Sequence, residues 1–265
     1  MTTVVISSVS SLGSWVIGVT KELGAAVLFL MRTLPAIVFP PVRWQLFLAQ
    51  AKHIGADSLL VVSLIGLFTG AVLAVQGEYT LSQFGATAFT GSAVALSLIR
   101  ELGPVLTALM VIGRAGSAIT AEIGIMRITE QVDALRSMAV DPMRYLMAPR
   151  LLAGTLVMPL LASVFIVVGI FGGYIVATGL LGLSSGTFIS QMVLAVDTFD
   201  VMSGLVKAVV FGFIFGWVSC YKGFTCGYGA IGVNRATTQS VVTASVAVLV
   251  VDYFLTSMLT RLFMG

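Results

Sequence analysis

Between Arg150 and Asp197 the chain carries no charged side chain. That run is 46 residues long, more than the roughly 20 that one membrane-spanning helix needs and barely enough for two with a turn. Gly179, Gly182, Ser184, Ser185 and Gly186 punctuate it. One span over residues 151–178 is expected, then a short helix over 187–197 on the far side. Only 9% of the 265 residues are charged and 58% are hydrophobic, against roughly 25% charged in soluble domains. An all-α integral membrane protein is the class that fits. A net charge of +3, gathered on one side, does not suggest nucleic acid.

The other spans follow the same signal. Residues 58–77 are twenty without a charge, bounded by Asp57 and Glu78. Gly66, Gly70 and Ala74 share a face there, a small-residue surface for close helix packing and a plausible twofold interface. A polar, Gly-containing connection, 79–90, leads to a second span over 91–113 that holds Arg100 and Glu101. A fourth span over 201–221 contains Lys207, a Gly-rich turn covers 223–232, and a fifth span over 236–259 contains Asp252. Of the 14 Lys and Arg residues, two are intramembrane, one (Arg261) follows the last span, and the other 11 fall on one side. The positive-inside rule makes that side cytoplasmic, with the amino terminus inside and the carboxyl terminus outside.

Before the first span the chain is apolar but interrupted. Ser7, Ser11, Ser14, Gly18 and Lys21 form one small or polar stripe, with Val5, Val9, Leu12, Val16, Val19, Leu23 and Val27 on other faces. This suits an amphipathic helix lying along the membrane interface. Pro35, Pro40 and Pro41 are expected to break it, and Trp44 and Phe47, beside Arg43 and Lys52, to anchor at headgroup level. The division expected is residues 1–57 as interfacial helices and 58–265 as a five-span unit. The first Lys is Lys21, so no secretory signal is expected.

The polar stretch 122–141 is where the chain can touch something other than lipid. Thr129 is a candidate cap for a helix whose first turn holds Glu130, Gln131 and Asp133. Ile128, Val132 and Leu135 make an apolar stripe, with Glu130, Asp133 and Arg136 opposite and an Asp133–Arg136 pair at spacing three. Asp141-Pro142 is a second helix start. An apolar stripe at helical spacing in a polar loop favours a docking helix for a soluble partner.

Charges inside a bilayer cost at least about 2.5–3.5 kcal/mol each on insertion scales, so Arg100, Glu101, Lys207 and Asp252 need partners or water. A Glu101–Lys207 pair across helices is one outcome, and a hydrated cavity that meets a polar headgroup is the functional one. Adjacent helical residues point about 100° apart, so Arg100 and Glu101 need not face each other. Asp252 is expected to be satisfied by Tyr253 and Thr256. No lysine follows a glycine, which excludes a phosphate-binding loop and hence an ATPase site in this chain. Cys220 and Cys226 read as reduced thiols, and the single histidine, His53, as interfacial. No metal site is expected.

The segments Glu101-Leu-Gly-Pro-Val-Leu-Thr-Ala-Leu and Gly113-Arg-Ala-Gly-Ser-Ala-Ile-Thr-Ala-Glu-Ile-Gly, then Met126 to Asp141-Pro142 and Pro149-Arg150, resemble the MlaE (YrbE) permease family. The resemblance runs from about residue 20 to the end. It implies the membrane subunit of an ABC transporter that moves phospholipids between the inner and outer membranes of Gram-negative bacteria and maintains outer-membrane lipid asymmetry. It further implies an interfacial amino-terminal helix, five spans, a homodimer in the inner membrane, and a coupling helix at about 128–139 seated on the ATPase. Ile128, Glu130, Val132, Asp133, Leu135 and Arg136 carry that coupling role. The implied partners are the ATPase (MlaF-like), which holds ATP and Mg, a STAS-domain protein bound to it (MlaB-like) and a hexameric MCE-domain protein (MlaD-like). Phospholipid is expected near Leu73, Leu81, Phe84, Arg100, Glu101 and Lys207. Two other classes fit parts of the pattern: an ion-coupled secondary transporter relaying protons through Glu101, Lys207 and Asp252, and a non-transporting scaffold.

Overall fold

The computed structural model describes residues 2–38 and 44–264, with side chains placed for 17–18, 20–36 and 44–261. The described residues are helical almost throughout, and five helices are long and apolar enough to cross a membrane. Helix α1 is Thr2–Val38 and α2 is Trp44–Ser82. The second span runs from Thr87 to Ile128 without interruption: a 3-10 turn, α3 (Thr90–Ser97), a π-helical turn (Leu98–Leu102), α4 (Gly103–Val111), a second π turn (Ile112–Gly116) and α5 (Ser117–Ile128). Then come α6 (Gln131–Ser137), a π turn (Met143–Met147) leading into α7 (Ala148–Gly179), α8 (Ser185–Ala195), α9 (Thr198–Phe224) and α10 (Gly229–Met264).

Packing follows the glycines. Gly66, Gly70 and Ala74 are buried against α7 of the same chain. A β-carbon on Gly70 would lie 1.7 Å from the Gly169 carbonyl oxygen, and one on Gly172 would lie 2.2 Å from the Leu67 carbonyl oxygen. The expected close-packing surface is therefore real, but it closes α2 on α7 and is not a face left for a second subunit. A second seam joins α7 to α9, where a β-carbon on Gly212 would meet the Gly154 carbonyl oxygen at 2.5 Å. Phe165, Phe211, Phe215, Ile112 and Met158 fill the core between these helices. Helix α5 completes it against α9 and α10. Helix α8 folds back on α3 through buried Phe188, whose ring meets Tyr174 edge-on.

Several expectations shift. Pro35 does not break α1, which runs three residues beyond it to Val38. Pro40, Pro41 and Arg43 lie outside the described residues, as do the side chains of Ser7, Ser11 and Ser14. The side chains that seat α1 are others, at helical spacing: Phe29, Thr33 and Ala36 are buried, the Trp217 indole donates to the Ala26 carbonyl, and Lys222 pairs with Glu22. Trp44 and Phe47 stack edge-on at the start of α2, and the helix continues from there into the first span without a break. The second span does not stop at Gly113. It continues through Arg114, whose Nε donates to Ser58 Oγ at 3.0 Å and whose Nη2 donates to the His53 carbonyl at 2.7 Å. A glycine is a weak stop signal when the helix around it is packed on both sides, as it is here by α2 and α10.

A candidate headgroup cavity and a candidate docking helix

The π turn at Leu98–Leu102 widens the helix by one residue and swings Arg100 and Glu101 toward the same neighbour, α9. Such bulges recur at functional sites. Arg100 Nε donates to Asp200 Oδ1 at 2.6 Å. Lys207 Nζ, two turns further along α9, donates to Glu101 Oε2 at 2.7 Å. The expected Glu101–Lys207 pair thus forms, and Arg100 reaches a partner absent from the sequence reading. Asp200 is legible as an acid near a helix start, and it also closes a capping box with Asp197 at the beginning of α9.

Lys207 is only 2% exposed. Its ammonium has three protons, and it has three acceptors: Glu101 Oε2, the Arg100 carbonyl at 2.9 Å and Thr256 Oγ1 at 2.7 Å. Asp252 Oδ1 stands 3.2 Å away as an ion pair and not as an aligned hydrogen bond. This corrects the expectation for Asp252: Lys207 neutralises it, while the Thr256 hydroxyl donates to Glu101. Lys207 organises the cluster and has no proton left for a ligand.

Around the cluster is a cavity of about 310 Å³, lined by Arg100, Glu101, Asp197, Phe199, Asp200, Ser203, Lys207, Thr256, Leu259 and Thr260. The side chains of Arg100 and Glu101 are 44% and 41% exposed, so both reach into it from their buried partners. Arg100 therefore faces the cavity and the neighbouring helix at once. The guanidinium plane matches the oxygens of a phosphate, and the carboxylate beside it accepts hydrogen bonds. Leu73, Leu81 and Phe84 do not line this cavity. Leu73 packs on the core from α2, Leu81 lies in the last turn of that helix, and Phe84 stands 78% exposed in the turn beyond it.

The other end of the second span, about 40 Å away at 1.5 Å per residue, carries α6. Val132 is buried, Ile128 and Leu135 are half-buried, and Glu130, Asp133 and Arg136 are exposed. Asp133 and Arg136 pair at 2.9 Å. The two faces are those expected from spacing, although Ile128 closes α5 and precedes α6. The expected cap differs: Thr129 turns its hydroxyl back to the Ile125 carbonyl, ending α5, and Glu130 reverses the chain at φ 60°. Asp141 caps as expected, accepting from the Met143 amide at 3.0 Å. Helix α6 meets the bundle through the Arg136 guanidinium over the Phe224 ring of α9, beside Arg127 of α5 over the same ring, and nearby Arg150 pairs with Glu122 at 2.9 Å. Cys220 and Cys226 are free and buried.

Five spanning helices, a charged cavity set into one end of them and an amphipathic helix exposed at the other define a polytopic α-helical permease. The profile of the family described as Permease MlaE matches residues 47–258. A protein of Haemophilus influenzae named intermembrane phospholipid transport system permease protein MlaE is 43% identical over 258 residues, covering 96% of this chain and 98% of that one. A probable ABC transporter permease protein of Rickettsia bellii is 43% identical over 249 residues, 94% and 96% of the two chains. The chloroplastic protein TRIGALACTOSYLDIACYLGLYCEROL 1 of Arabidopsis thaliana is 34% identical over 216 residues, 82% of this chain and 62% of that one. The chain belongs to the MlaE permease family.

Proposed function

We propose that this chain is the membrane permease subunit of an ABC transporter that moves phospholipids between the inner and outer membranes of a Gram-negative bacterium, sustaining outer-membrane lipid asymmetry. The observation that carries this is the half-exposed Arg100–Glu101 pair in a cavity among hydrocarbon-facing helices, in a chain alike over nearly its whole length to a permease named for phospholipid transport. A cavity with one open guanidinium suits a phosphate headgroup, and exposed apolar side chains such as Leu81's neighbour Phe84 suit acyl chains. Arg100 is then the phosphate partner and Lys207 its positioning residue, with Leu73, Leu81 and Phe84 on the acyl path between two copies of the chain.

In this proposal residues 1–57 supply interfacial elements and 58–265 the five-span unit, in the inner membrane with the amino terminus cytoplasmic and the carboxyl terminus periplasmic. The chain works as a homodimer. It is not itself an enzyme. A partner ATPase binds ATP and Mg and drives α6 through Ile128, Glu130, Val132, Asp133, Leu135 and Arg136. A STAS-domain protein joins through that ATPase, and a hexameric MCE-domain protein receives the lipid on the periplasmic side.

The test is to purify the chain with its ATPase and identify co-purifying lipid by mass spectrometry. Phospholipid retained by wild type and lost in Glu101→Ala is expected. Leu135→Asp, which puts a charge on the half-buried face of α6, is expected to abolish ATPase association while leaving lipid bound. Lipid retention that ignores Glu101, with ATPase binding that ignores Leu135, would refute the proposal.

A further inference from the structure

The cavity holds an imbalance that bears on which headgroup it takes, granted the proposal that it is a headgroup site. Its lining contributes the acids Glu101, Asp197 and Asp200 and the bases Arg100 and Lys207. Lys207 is spent on Glu101, the Arg100 carbonyl and Thr256, with Asp252 as a further counter-charge. Asp200 is spent on Arg100 and the backbone amide of Asp197. What remains open to a ligand is of both signs. Arg100 uses only Nε internally, so its two terminal nitrogens have no protein partner among the described residues. Glu101 accepts from Lys207 and Thr256 but keeps lone pairs on a side chain 41% exposed. Asp197 is exposed at the rim, at the start of α9, where its carboxylate also accepts from the Asp200 amide.

Arg100 and Glu101 are neighbours in one π turn and both line this cavity, so a donor fork and an acceptor carboxylate open into the same space. A ligand with only a phosphate satisfies the fork and then sets its negative charge beside Glu101 and Asp197. A ligand with a phosphate and an ammonium a short linker apart satisfies both. We propose that this cavity selects zwitterionic aminophospholipids, the phosphate on Arg100 and the primary ammonium on Glu101 and Asp197, over anionic phospholipids of the same acyl composition. A primary ammonium supplies three hydrogen-bond donors to these acceptors, whereas a glycerol headgroup supplies no positive charge.

The experiment uses the permease–ATPase complex purified from membranes whose phosphatidylethanolamine to phosphatidylglycerol ratio is measured, with retained lipid quantified by mass spectrometry. Wild type is expected to retain phosphatidylethanolamine enriched about fivefold over the membrane ratio, the scale of one partly screened charge contact. Glu101→Gln is isosteric, and Asp197→Asn keeps a good helix cap while removing a rim charge, so one variant stands if the other fails to fold. Each is expected to bring the ratio of the lipid that remains toward that of the membrane. Arg100→Gln is expected to lower total lipid of both kinds. Retained lipid at the membrane ratio, or enriched in phosphatidylglycerol, overturns the selectivity while leaving the cavity as a phospholipid site. Unchanged enrichment in both carboxylate variants overturns it equally. No retained phospholipid in wild type overturns the headgroup site itself.

Discussion

Lys207 shows how a bundle of hydrocarbon-facing helices tolerates charge. Its ammonium is enclosed, and every proton on it is matched. Removing one member of such a buried cluster strands the rest, at a cost of about 3–5 kcal/mol. Lys207→Met is therefore expected to lower the melting temperature of the purified protein markedly, and the triple change with Glu101→Gln and Asp252→Asn to recover part of it. Thermal unfolding followed by tryptophan fluorescence reads both. Cys226 makes a second case. It lies between α9 and α10, and burial pushes its thiol above the ordinary value, a push that nearby Arg127 only partly opposes. Less thiolate at neutral pH means slower alkylation. Maleimide labelling at Cys226 is expected to be slow near pH 7 and to accelerate as pH rises past the free-thiol value. Labelling at the rate of a free cysteine would contradict that burial.

At the scale of the element, the α2–α7 seam sets the strictest limit. Gly70→Ala places a methyl where the Gly169 carbonyl stands, and backbone cannot rotate away as a side chain can. A loss of at least about 1–3 kcal/mol is expected, the usual cost of overpacking. Gly18→Ala in α1, with open space at that position, is expected to be neutral or slightly stabilising. Comparing the two by denaturation separates the seam from glycine's generic effect on helices. Element existence was legible throughout, because apolar runs between charges are a strong signal in hydrocarbon. Element ends were less so. Thr129 reads as a cap by residue type, but its hydroxyl donates back to the Ile125 carbonyl, which also accepts the Thr129 amide. Pro35 reads as a breaker and Gly113 as the end of a span, but α1 continues through the first and neighbours on α2 and α10 pack around the second. The π turn at Leu98–Leu102 has a mark in the sequence, Pro104, which has no amide proton for the Arg100 carbonyl, so that carbonyl accepts from Lys207 instead.

For the whole molecule, two ends separated by the membrane thickness carry different chemistry, and a permease must connect them. The charged cluster was legible as charges out of place in the bilayer, and Glu101–Lys207 was legible as a pair. Asp200 was missed as a partner because it sits at the margin of its span, where an acid needs no explanation. The twofold face was misread because a run of small residues announces close packing without saying against what. With Gly66, Gly70 and Ala74 committed within the chain, a second copy must use surface left uncovered. Helix α10 buries the least of itself among the five spanning helices, and Val246, Leu249, Tyr253 and Phe254 stand out from it. Native mass spectrometry of the intact complex is expected to give two permease chains. A single chain per complex would leave the proposed path between copies without walls.

The contact of α2 and α7 backbone on backbone also has a mechanical meaning. Where side chains separate two helices, they can slide by changing rotamers. Here no such layer exists at Gly70 and Gly169, so the two helices form one beam. Helix α7 has 32 residues, which makes the beam about 48 Å long. It starts at the π turn that follows α6 in the chain, and in the proposed coupling a push from the partner ATPase would arrive through α6. A tilt of a few degrees at that foot displaces the far tip, with α8 and the turn after α2 attached, by several times the movement of the foot. Small strokes at one end then become wider ones at the other by leverage, with the tight seam at Gly70 and Gly169 carrying the two helices together beyond Pro159.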